Sequence, residues 1–65
     1  MIPRLLPVPD GLAGERMDVA LSRMTGLSRS KVGDMCSLGA VHLDGVPVGK
    51  SDRVTAGAMI EADLP

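Results

Sequence analysis

Sixty-five residues with seven Lys and Arg, eight Asp and Glu and a net charge of −1 make one small domain, and lack the overall positive charge that marks many nucleic-acid binders. A chain this short buries only about 60% of the surface its unfolded form exposes. This one also has no aromatic residue and leans on Leu, Val, Ala and five Met, so a core that wraps a large substrate or an organic cofactor is not expected.

Cys36 is the single cysteine, which excludes an internal disulfide and a zinc finger. The expectation is a binding module with no cofactor and no metal, in a reducing cytoplasmic setting. The opening Met1–Pro7 is too short and too rich in proline for a secretory signal, and no apolar run approaches a membrane span.

Taken in chain order, Leu5 to Val8 predicts a short strand that Pro7 and Pro9 restrict to a sheet edge. Asp10-Gly11 and Gly14 mark a loop. From Arg16 to Met24, the apolar residues Met17, Ala20, Leu21 and Met24 fall at i, i+3, i+4 and i+7, one face of a helix. Gly26 supplies its stop. Ser28 is the N-cap of a second helix, with Ser30 the rival choice, and Val32, Met35 and Cys36 repeat the helical spacing up to Gly39. Gly33 costs that helix about 1 kcal/mol against Ala, so it needs tertiary support. The short connection Thr25-Gly26-Leu27 makes the two a helix-turn-helix-like pair.

After Gly39 the period changes to two. Val41 and Leu43 alternate with His42, Asp44-Gly45 offers a tight hairpin turn, and Val46-Pro47-Val48 returns along an edge. Val54 begins a further short strand and Met59 to Leu64 forms the last. The fold class is α+β, a helix pair packed on a small, mainly antiparallel sheet. Met17, Met24, Met35 and Met59 are assigned to its core, as is Cys36.

The charge is unevenly spread. Arg16, Arg23, Arg29, Lys31 and Lys50 outnumber Asp18, Asp34 and Asp44 in the middle of the chain, whereas Asp52, Glu61 and Asp63 crowd the end. The second helix start is the most telling segment. A helix N-terminus exposes unpaired N–H groups and suits phosphate; Ser28 and Ser30 add hydroxyls, Arg29 and Lys31 full charges. Basic residues there oppose the helix dipole, which favours an anionic partner over solvated surface charge. Lys50 reaches the same backbone if the sheet packs beside this helix. Arg16 has two readings, a contact to that anionic partner or a partner for Asp18, Asp10 or Glu15. Asp18 reads as a first-turn helix stabiliser and not a catalyst. His42 has no ligand set around it, since a metal needs at least three protein ligands, and reads as a solvent-facing strand residue or a minor contact to the same partner. No Ser-His-Asp triad is present.

Arg16-Met17-Asp18, then Gly26-Leu27-Ser28-Arg29-Ser30, then Gly39-Ala40-Val41-His42-Leu43-Asp44-Gly45, then Lys50-Ser51 strongly resemble, in this order, the RNA-binding domain family named after ribosomal protein S-four. Within it, Val8-Pro9-Asp10 and the ending Ile60–Pro65 are similar to the N-terminal domain of bacterial large-subunit ribosomal RNA pseudouridine synthases. The resemblance implies an N-terminal extension over 1–15 and an S-four-like domain over 16–65. It implies RNA contacts from Arg16, Ser28, Arg29, Ser30, Lys31, Asp34, His42, Asp44, Gly45 and Lys50, on structured, ribosomal RNA and away from any membrane. The chain itself is then no enzyme but a targeting piece, its uridine-isomerising catalytic domain lying in cis beyond it. Gly33, Asp34 and Ser37 depart from the family, whose members often carry Arg, Lys or Gln there, and this implies weak binding by the domain alone. The alternatives are an RNA-binding module of another ribosome-associated factor, such as a stalled-ribosome rescue factor, and a protein- or DNA-interacting helix-turn-helix. A DNA reader would line its second helix with Arg, Asn or Gln for base edges, which this helix does not.

Overall fold

In the computed structural model, residues 2–64 are described, together with every side chain among them except that of Ile2; Met1 and Pro65, the outer ends of the two expected segments, lie outside the described residues. The elements run β1 (Ile2–Pro7), a 3-10 turn (Asp10–Leu12), α1 (Met17–Thr25), α2 (Arg29–Ser37), β2 (Val41–Leu43), β3 (Val46–Pro47) and β4 (Met59–Leu64). All strand pairs are antiparallel, in the order β1-β4-β2-β3. The two proline-bearing strands therefore sit at the two edges, where a missing N–H breaks no ladder.

Periodicity accounts for the helices. In α1, Met17, Ala20 and Leu21 are wholly buried, and Gly26 closes the helix in the left-handed region at φ 82°. In α2, Ser28 is the N-cap, its hydroxyl accepting the Lys31 N–H at 3.1 Å, while Val32, Met35 and Cys36 turn inward. These faces meet Val41, Ile60 and Ala62 from one side of the sheet, with Val8, Val54 and Ala58 completing the core. Burial pushes the Cys36 thiol above its ordinary value, and the charges of Asp18 and Asp52 push the same way, so it stays an inert core thiol. The β2–β3 hairpin turns on Asp44 and Gly45 at φ 50° and 83°, both positive as a two-residue I′ turn requires.

Three expectations need correction. The first strand spans Ile2–Pro7 rather than Leu5–Val8, since pairing with β4 runs from Ile2↔Leu64 to Pro7↔Met59. Val54 starts no strand: it is buried, but Glu15 O takes its N–H and Gly14 N–H donates to its carbonyl, leaving an isolated Arg16↔Arg53 bridge. Met59 is exposed, not core, because alternation along β4 turns Ile60 and Ala62 inward and Met59 and Glu61 outward.

Candidate nucleic-acid interface

The start of α1 is closed by the chain's own groups. The segment before Val54 folds back so that Asp52 O accepts the Met17 N–H at 2.7 Å and Lys50 O the Asp18 N–H at 3.1 Å. The Asp18 carboxylate takes the next donor, Val19 N–H, at 2.8 Å through Oδ1. Its other oxygen, Oδ2, meets Arg16 Nη2 at 3.2 Å and Arg29 Nη2 at 3.5 Å. Burial works against ionising Asp18, but Arg16, Arg29 and the Val19 N–H together outweigh it and hold the carboxyl below its usual value.

Lys50 O anchors its segment to α1, and the Lys50 side chain lies across α2. A Cβ built on Gly33 would stand 3.3 Å from Lys50 Cδ. Gly33 is buried there; its lack of a side chain leaves room for the lysine stem, while Val32, Met35 and Cys36 give the helix its tertiary support in the core. Arg29, Gly33 and Ser37, spaced four apart, with Ser30 and Asp34 beside them, present one face of α2. That face, Arg16, Asp18 and Lys50 line a groove of about 510 Å³.

The groove gathers five of the residues expected to touch RNA: Arg16, Arg29, Ser30, Asp34 and Lys50. Ser28 stands at the same helix start but spends its hydroxyl oxygen on the cap. Lys31 is exposed on α2 and outside the groove lining. His42, Asp44 and Gly45 belong to the hairpin and also lie outside it. Asp44 Oδ1 accepts the Met59 N–H at 2.9 Å, tying the turn to β4. Three lining residues escaped the sequence-based set: Asp18, Gly33 and Ser37. The spacing of four from Arg29 would have found the last two, whereas the first reads from the sequence only as a helix stabiliser and a partner for Arg16.

Chemically, the groove offers two guanidinium groups and an ammonium against two carboxylates, and one of those carboxylates is sealed behind its arginines. Beside it, α2 begins with two basic residues and no acid in its first turn, and with N–H groups that the helix itself does not use. By its charge and free donors such a face suits an anion. Among the described residues no three of His, Cys, Asp and Glu converge as metal ligands, and no helix is long and apolar enough to cross a membrane.

Fold and groove together define a small α+β module with a groove rich in cationic side chains between two short helices. Residues 15–60 match the S4 domain, and the chain belongs to that family of RNA-binding domains. Over its whole length it is 52% identical to an uncharacterized RNA pseudouridine synthase of Mycobacterium bovis, and equally so to one of Mycobacterium tuberculosis. It spans 21% of the length of each.

Proposed function

We propose that this chain docks on structured ribosomal RNA through the phosphate backbone and thereby targets a pseudouridine synthase catalytic domain joined to it in cis. The observation that carries the reading is the convergence of Arg16, Arg29 and Lys50 on one groove beside the open start of α2. A-form RNA hides its major-groove base edges in a deep, narrow groove and is recognised largely through phosphates and 2′-hydroxyls. Arginine forks and an ammonium suit the first. Exposed Asp34, an acceptor with no donor of its own, suits the second, because a 2′-hydroxyl can donate to it and DNA has none. Gly33 and Ser37 offer nothing long enough to read a base edge, which weighs against a DNA-reading helix. The names of the mycobacterial relatives favour a uridine-isomerising partner domain over a rescue factor.

Few contacts are involved. With about four phosphates engaged, affinity should fall on the order of a hundredfold between 50 and 200 mM salt. The test is an NMR titration of the chain with a ribosomal RNA stem-loop and, separately, a matched DNA duplex. Shifts expected with RNA alone cover Arg16, Ser28–Lys31, Asp34 and Lys50, with a smaller response at His42 to Gly45. An equal response to DNA, or none at low salt, would sink the reading.

A further inference from the structure

Asp18 is the buried charged residue of the described chain, and helix capping does not account for all of it. Oδ1 alone serves the Val19 N–H. Oδ2 draws in two arginines from different elements, Arg16 at the head of α1 and Arg29 at the head of α2. The Asp18 side chain is 5% exposed, whereas those of Arg16 and Arg29 are 37% and 59% exposed and line the groove. The carboxylate therefore stands behind the two guanidinium groups, and a ligand in the groove meets the arginines. Each contributes one nitrogen to Asp18 out of a fork carrying five N–H donors, so most of that donor set remains for something else. Arg16 Nε is buried with no partner.

We propose that Asp18 is a positioning residue that gathers Arg16 and Arg29 into one clamp for a single RNA backbone phosphate. The inference rests on the docking reading above and deepens it. Two guanidinium groups converging on one site repel each other, and each long side chain loses freedom when it is fixed. A shared carboxylate offsets the repulsion and meets the ordering cost before ligand arrives, which is how preorganisation raises affinity. Both groups touch the same oxygen, so they lie within one phosphate's reach of each other. The charged groups around Asp18 are Arg16 at the N-cap of its own helix, Arg29 and Asp34 on α2, and Lys50 and Asp52 on the segment that closes α1.

A bland rival makes Asp18 only a cap, with a negative charge that repels RNA. The two accounts predict opposite signs. Asp18→Asn removes a negative charge beside the site, so the rival requires tighter binding. The clamp requires binding about tenfold weaker although the net charge has risen, with partial recovery in Asp18→Glu, which keeps the charge one methylene further out. The measurement is fluorescence anisotropy of a labelled ribosomal RNA stem-loop with the whole chain, each variant's fold being checked by its amide NMR spectrum. A folded Asp18→Asn that binds as well as wild type, or better, overturns the clamp and leaves RNA docking standing. Should Asp18→Asn fail to fold, side-chain NMR of the wild type decides. Separate, slowly exchanging Nη signals for Arg16 and Arg29 that shift together with RNA support the clamp, and signals averaged like those of exposed Arg4 overturn it. A wild type that ignores the stem-loop at low salt overturns the docking reading and the phosphate clamp with it, whatever the variants do.

Discussion

The two helices are both nine residues long and start from an extended residue of nearly the same conformation, Arg16 at φ −65°, ψ 150° and Ser28 at φ −69°, ψ 155°. Their beginnings are nonetheless put to different uses. At α1 the first three donors go to Asp52 O, Lys50 O and the Asp18 carboxylate, an acid where the helix dipole favours one. At α2 one hydroxyl caps one N–H, and the first turn carries Arg29 and Lys31 with no acid. The dipole's preference for acid is met at the first end and opposed at the second. The first end holds the fold together, and the second is left with positive charge that a ligand can use.

That contrast is broken most severely at Asp18. Asp18→Ala strips Val19 N–H and two guanidinium groups of a shared acceptor. Losing one partner of a fully buried pair costs about 3–5 kcal/mol; exposure of both arginines lowers the expectation to about 2–3 kcal/mol, read as a lower urea midpoint at unchanged m-value. The same residue sets an acid limit. Its folded carboxyl titrates below the ordinary value of 3.8, so its contribution is complete above that value and is lost as pH falls through the lower, folded one. Stability of the wild type and of Asp18→Asn should converge in that acid range and separate above it.

Ser28→Ala is the matching break at α2. It removes the cap but no charge, and the expected loss is about 1 kcal/mol in urea unfolding, with helix ends less protected from hydrogen exchange. A loss as large as that of Asp18→Ala would erase the distinction between the two ends.

Much of this was legible from residue spacing and turn chemistry, and the failures have physical causes. Met17, Ala20 and Leu21 announce a buried face, Ser28 and Gly26 the helix limits, and Asp44-Gly45 the hairpin, because each of these is a local property of the chain. Val54 looked like a strand since burial and β-branching are common to strands and bridges, and only tertiary pairing separates them. Met59 looked like core because composition says nothing about which side of β4 faces out. At the site, the charges at the α2 start were visible, but Asp18 gained its partner Arg29 from another element. Gly33 read as a weakness, because the lysine stem covering it lies seventeen positions on at Lys50.

Lys31→Glu sharpens the comparison from the other side. It gives α2 what α1 has, an acid in the first turn, and with Ser28 as N-cap it completes a capping box. Stability should rise by about 0.5 kcal/mol while affinity for the RNA stem-loop falls, roughly tenfold at low salt for reversing one phosphate contact. Opposite movements of the urea midpoint and the binding curve mark a residue kept for an anion. Parallel movements would make Lys31 an ordinary solvated charge.

The smallest change in stability is expected at Gly33. Replacing a mid-helix glycine by Ala normally gains about 1 kcal/mol. Here the new methyl meets Lys50 Cδ at 3.3 Å, a contact tighter than packed side chains ordinarily allow. The lysine stem is flexible, so it shifts and surrenders part of its packing over α2, and the gain should shrink to within about half a kcal/mol of zero. The ammonium at its far end moves with it. Gly33→Ala should therefore weaken RNA binding with almost no change in the urea midpoint, the shift at Lys50 being visible in its side-chain NMR signals. If the full helix gain appears instead, with RNA affinity intact, Lys50 does not depend on Gly33, and the groove takes its binding geometry from the arginines alone.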